Sequence, residues 1–124
     1  MIVGARLLII EDNPTNLELM TYLLGAFGHT PVGASTGEEG VRSAMQQPPD
    51  LILCDIHLPD INGFEVLARL RAVDALRQVP IVAVTASAMA GDREHVLAHG
   101  FDGYMSKPIV PETFVADVER FLKR

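Results

Sequence analysis

Five short apolar runs, at 6–10, 30–34, 51–54, 81–85 and, more weakly, 103–106, each lead into a segment with helical spacing. A run such as Leu51, Ile52, Leu53, Cys54 has no polar position in its alternation, so both of its faces must be covered. Strands covered on both faces and alternating with helices predict a doubly wound α/β fold: one five-stranded parallel sheet with five helices. A chain of 124 residues, 48% of them hydrophobic, has material for one such core, and a single domain over 1–124 is expected.

The first helix is expected from 14 to about 27, because Pro14 suits a first turn and Gly28 a stop. Its apolar positions place Leu19, Met20, Leu23 and Phe27 on an inward stripe and Leu17 on the outward side. Further helices are expected at 36–46, where Thr36 and Glu39 have capping-box spacing; at 63–72; at 88–98, stopped by Gly100; and at 110–123. Cys54 and Met20, Met45, Met89 and Met105 read as packing residues, and His29, His95 and His99 as surface residues. The stretch "PDINGFE" reads as a turn entering a helix, with Gly63 chosen for backbone freedom.

The formal charge of −6 and the scatter of the ten Lys and Arg argue against direct nucleic-acid binding, which needs clustered cations. No apolar run reaches the roughly 18 residues of a membrane span, so no membrane insertion is expected. A lone Cys54 and an N-terminus without a basic-then-apolar leader point to a reducing, cytoplasmic setting.

In an open parallel sheet, ligands bind beyond the carboxyl ends of the strands. Those ends carry Glu11 and Asp12, then Asp55, then Thr85, then Lys107. Adjacent carboxylates repel unless a cation holds them, and an all-oxygen set without His or Cys spacing suits Mg²⁺. Lys107 and Thr85 then supply a charge and a hydrogen bond of the kind the equatorial oxygens of a transferring phosphoryl group require. Asp55 is left as the nucleophile, since a carboxylate can form an acyl phosphate.

The "EDN" pair, "DLILCDIHLPDINGFEV", "VAVTASAM" and "YMSKPI" together resemble the receiver domain of two-component response regulators over essentially the whole chain. "VTASAMAGDRE" is similar to DivK-type single-domain regulators. The resemblance implies a flavodoxin-like, CheY-like fold. It implies that Asp55 accepts the phosphoryl group, and that Asp12 binds Mg²⁺ directly, Glu11 through water and His57 through its main-chain carbonyl. It implies further that Lys107 pairs with phosphoryl oxygens, that Thr85 and the rotating aromatic Tyr104 form the switch, and that the Lys107–Pro108 bond is cis. A helical bundle carrying the donor histidine would dock near Asn13, Pro14, Leu17, Pro108 and Ile109. His57, with Ser87 across the site, is expected to set the phosphorylated lifetime.

The implied partners are a histidine kinase or histidine phosphotransfer protein upstream and a protein target downstream. The implied chemistry is limited to the protein's own phosphotransfer and autodephosphorylation. With one helix after Lys107, a stand-alone regulator is expected ahead of a receiver detached from a hybrid kinase. A phosphatase of the haloacid-dehalogenase type also uses a strand-end Asp and Mg²⁺, but it resembles D-x-D, and position 57 here is His. A receiver degenerated into a phosphorylation-independent adaptor is disfavoured by the intact acid, threonine and lysine set.

Overall fold

The computed structural model describes residues 4–86 and 91–122. Strands β1 (Arg6–Ile10), β2 (Thr30–Ala34), β3 (Leu51–Cys54), β4 (Ile81–Thr85) and β5 (Gly103–Ser106) alternate with α1 (Pro14–Ala26), α2 (Gly37–Gln46), α3 (Gly63–Arg71), α4 (Asp92–Ala98) and α5 (Pro111–Leu122). All strand pairs are parallel, in the order β2-β1-β3-β4-β5. The order reverses at β1, so the crevice between β1 and β3 is the expected ligand position.

The two-residue period of the strands divides the core. Leu7, Ile9, Leu51, Leu53, Val82 and Val84 point to the layer of α1 and α5, where Met20, Leu24, Phe114 and Val118 meet them. Leu8, Ile10, Ile52, Cys54, Ile81 and Ala83 point to the layer of α2, α3 and α4, with Val66, Leu70 and Val96. Burial of both faces is what the unbroken apolar runs require.

Caps fix the helix starts. Asn13, Thr36 and Asn62 each accept a hydrogen bond from the backbone N–H three residues on, which satisfies one of the donors left free in a first turn. Glu39 reaches back to the Ser35 N–H at 2.6 Å, one residue before the cap, in a shifted form of the expected capping box. A single 3₁₀ turn, Asp74–Leu76, follows α3 and buries Leu76; no expectation covered it. The part of the fourth helix expected at 88–90, and Met89 with it, lies outside the described residues.

Four sequence expectations are corrected. Leu17 does not face outward: it is half-buried against the α1–α5 layer and lies over Gly33, where an added Cβ would come within 3.1 Å of its Cδ1. The inward face is Leu17, Met20, Leu23 and Leu24, so Met20 and Leu23 face inward as expected, while Phe27 falls beyond the helix and is 59% exposed. Met45 is exposed on α2 rather than packed. His29 is buried rather than superficial. Its Nδ1 accepts from the Ala5 N–H at 3.3 Å, which leaves the ring proton on Nε2 to bond Glu119 Oε2 at 2.7 Å. The ring thereby ties the start of β1 to α5.

The fourth correction concerns Gly63. It has no positive φ; it is needed for proximity, since an added Cβ would stand 2.7 Å from the Asp55 carbonyl oxygen and 2.8 Å from Ile56 Cα. Its N–H bonds the Ile56 carbonyl at 2.8 Å, pulling the first turn of α3 onto the backbone after β3. Because the obstruction is backbone, Gly63→Ala is expected to destabilise the fold by about 1–3 kcal/mol in urea unfolding, the usual range for overpacking. An unchanged midpoint would show that the backbone yields freely.

Candidate functional site

The ladder itself brings the acids together. Ile10 pairs with Cys54, the Asp55 N–H continues the ladder to the Ile10 carbonyl at 3.0 Å, and the Glu11 N–H bonds Ala34 at 2.9 Å. Glu11 and Asp55 therefore leave adjacent strands side by side. On β4 and β5, Thr85 pairs with Ser106, and the Lys107 N–H bonds the Thr85 carbonyl at 2.9 Å.

Lys107 Nζ stands 2.7 Å from Asp55 Oδ2 and 2.7 Å from Glu11 Oε1. The first contact is a hydrogen bond. The second is off hydrogen-bond direction, so Glu11 Oε1 remains a buried oxygen with no hydrogen-bond partner among the described residues. The Asn13 N–H donates to Glu11 Oε2 at 3.1 Å, and the His57 N–H donates to Asp55 Oδ1 at 3.0 Å. Glu11 is 1% exposed and Asp55 5%.

Burial, the largest influence, raises the pKa of Glu11; Lys107 and the Asn13 N–H oppose it, and the charge of Asp55 adds to it. Burial also pulls on Lys107 in the direction of neutrality, but the Asp55 hydrogen bond and the close carboxylates of Asp55 and Glu11 outweigh it and hold the ammonium above its ordinary value. One ammonium thus serves a carboxylate set that it does not fully neutralise. Glu11, Asp12 and Asp55 each offer an oxygen, all within 4.8 Å of one another. The orphaned Glu11 oxygen and the all-carboxylate donor set fit a hard divalent cation.

Of the other expected residues, Thr85 is buried at the end of β4, and Tyr104 is half-buried against the α2–α3–α4 layer. His57 is exposed at the mouth. Asn13 and Pro14 open α1 and are exposed, as is Pro108, while Ile109 is half-buried on the α1–α5 layer. The Lys107–Pro108 bond is cis. Ser87 lies outside the described residues. Cys54 is an inert packing group: burial, then the charges of Asp55 and Glu11, push its thiol far above the ordinary range.

Asp60 was missed in the sequence, read there only as part of a turn. Its Oδ1 and Oδ2 accept from the Gly37 and Glu38 N–H groups, both at 2.8 Å, so the loop after β3 caps α2. Desolvation, the largest single influence, would raise the Asp60 carboxyl, but the Glu38 and Gly37 N–H bonds, with further backbone N–H groups at Ile61 and Asp60, together hold it below its usual range. The nearest sequence signal is the exposed N-terminus of α2, which Thr36 alone cannot satisfy.

A doubly wound sheet with three acids at its switch point and a lysine beside them defines a CheY-like signalling fold. The chain belongs to the response regulator receiver domain family, whose profile matches residues 7–119. It is 40% identical over 115 residues to the polar-differentiation response regulator DivK of Brucella anthropi, covering 93% of this chain and 94% of that one. The receiver domain of the sensor histidine kinase PA1611 of Pseudomonas aeruginosa, solved with magnesium coordinated in its active-site cleft, is 34% identical with a TM-score of 0.88, covering 98% and 100% of the two chains. A response regulator structure from Chloroflexus aurantiacus superposes with a TM-score of 0.90 at 29% identity, over 98% and 99%. The protein is therefore a DivK-like receiver of the two-component class, and the phosphatase reading is not favoured. Among the described residues, no helix is long and apolar enough to cross a membrane.

The raised pKa of Glu11 has a stability consequence. A carboxyl whose pKa rises on folding favours the native state below its unfolded pKa, and that contribution is lost as pH rises through the folded value. Ionised Glu11 thus burdens the metal-free fold at neutral pH. Glu11→Gln is expected to raise the thermal midpoint of the metal-free protein near pH 8, with the gain shrinking as the pH falls toward about 4. A variant less stable than wild type at every pH would contradict this.

Proposed function

We propose that Asp55 is the phosphoacceptor. A carboxylate oxygen of Asp55 attacks the phosphorus of a phosphohistidine; the O–P bond forms as the P–N bond breaks, and the departing imidazole nitrogen takes up a proton from solvent. The observation that carries this reading is the holding of Asp55 from both sides, Oδ1 by the His57 N–H and Oδ2 by Lys107, beside two further acids. Such fixed orientation is what an in-line displacement needs.

Glu11, Asp12, Asp55 and the His57 carbonyl would hold Mg²⁺, which when bound offsets the charge of the carboxylates and of the incoming phosphoryl oxygens. Lys107 supplies the fixed positive charge, and the Thr85 hydroxyl supplies the hydrogen bond. Thr85 and Tyr104 act as the switch: Thr85 follows Ile81 and Ala83 in the strand alternation, and Tyr104 pairs with Ala83 and packs on the same layer, which also holds α4. The donor, a histidine kinase or histidine phosphotransfer protein, docks over Asn13, Pro14, Pro108, Ile109 and the exposed remainder of Leu17. A downstream protein reads the phosphorylated state in the cytoplasm, as a DivK-like role implies. The protein's own chemistry is limited to phosphotransfer and autodephosphorylation.

Asp55→Asn keeps the shape and removes the nucleophile. Labelling from a phosphohistidine donor or a small phosphodonor is expected to vanish in that variant and, in the wild type, to need a divalent ion; label persisting on Asp55→Asn would overturn the assignment. His57 is expected to act differently, because its main chain holds Asp55 while its ring is exposed. His57→Ala is expected to accept label normally but to change the rate at which label decays. Equal decay in both proteins would remove His57 from the lifetime.

A further inference from the structure

Away from the acidic cleft, His95 of α4 and His99, the residue that caps its C-terminus in helical geometry, are exposed and one turn apart. Residues four apart on a helix share a face, and these rings lie 4.6 Å apart between centroids at 70°. Phe64 of α3 forms their common floor, 5.5 Å from His95 and 4.3 Å from His99, with Phe101 behind it at 5.9 Å. An apolar floor limits the rotamers of both imidazoles and so reduces the ordering that a ligand would impose.

The second observation concerns the nitrogens. His99 Nδ1 lies 3.0 Å from the His95 carbonyl oxygen. A carbonyl only accepts, so Nδ1 carries the proton and Nε2 keeps its lone pair. Metal-ligating histidines are oriented in this way, one ring nitrogen donating to a backbone carbonyl and the other facing the ion. Among the described residues, nothing hydrogen-bonds the His95 ring, so it too has a nitrogen to offer.

We propose that His95 and His99 form a two-imidazole site for a borderline divalent transition-metal ion such as Zn²⁺, distinct from the acidic cleft. Ligand chemistry separates the two sites: imidazole nitrogen suits Zn²⁺ and Cu²⁺, and the carboxylate set suits Mg²⁺. Position separates them as well. The Asp102 N–H bonds Ile81 at the start of β4, so the end of α4 lies toward the sheet edge opposite the acids. No third His, Cys, Asp or Glu completes the pair among the described residues, which leaves the remaining positions on the ion to water. The site is open and exchangeable, and an ion bridging the two rings staples the last turn of α4.

The test titrates Zn²⁺ into the wild-type protein in excess Mg²⁺, following heat and the ring C–H signals of all four histidines. One equivalent is expected to move His95 and His99 and leave His29 in place, and to slow amide exchange along α4. His95→Gln and His99→Gln, both at exposed positions and checked for an unchanged fold by circular dichroism, are each expected to weaken binding by about tenfold or more. Zinc that moves His57 while leaving His95 and His99 unmoved would overturn the proposal, as would either glutamine variant binding as tightly as wild type.

Discussion

The contact on which the rest of the site depends is the placement of Lys107 Nζ at 2.7 Å from both Glu11 and Asp55. Two carboxylates that are 1% and 5% exposed cannot both stay ionised in an apolar edge without a nearby cation. The ammonium comes from the far end of the sheet, because β5 pairs only with β4 and the chain must turn inward after Ser106 to bring it across. The compensation is partial: Glu11 keeps a raised pKa and one buried oxygen without a hydrogen bond. A site left with excess negative charge and a spare oxygen donor is poised for a second cation, and the same imbalance makes the metal-free state less stable than its apolar core alone would permit.

The loop between β3 and α3 carries this electrostatic centre to the rest of the fold. Asp55 and His57 face the cleft, Gly63 sits against the Asp55–Ile56 backbone, and Asp60 caps α2 with both oxygens. Any change at Asp55 therefore acts on a segment anchored at three points. Small displacements there would reach α2 and α3 together, since packed elements shift as units.

Strand positions were legible to the residue, because a run that must be covered on both faces ends where polar groups begin. The placement of the acids, Thr85 and Lys107 at one sheet edge was legible for a related reason: Glu11 and Asp55 are the first polar groups after their runs, and Asp12, Thr85 and Lys107 lie within a residue or two of a run's end. The wheel of α1 was partly misphased because that helix has apolar residues on most sides, so the four-residue spacing of Leu19, Leu23 and Phe27 was as persuasive as one that brings Leu17 inward with Met20 and Leu23. His29 was misread because its partners, Ala5 and Glu119, are remote in sequence, the latter by 90 positions. Asp60 and the Phe64–His95–His99 cluster were invisible for the same reason, being contacts between elements that no local pattern announces.

The helices are not equally secured. Gly63, Val66, Leu67 and Leu70 of α3 are buried, whereas among the described residues of α4 only Val96 is. Local stability follows buried apolar contact, so among the described residues α4 has the least buried helix face. It lies on the layer where Tyr104 packs and toward which the alternation of β4 directs Thr85, while Glu11, Asp55 and Lys107 continue the alternation of the opposite layer. The sheet thus separates a strongly paired charge centre from the layer that holds α4, and Thr85 ends the strand that lies between β3 and β5. A two-state response needs one element whose position is decided by only a few kcal/mol, and under the proposed function α4 is the element to test for it.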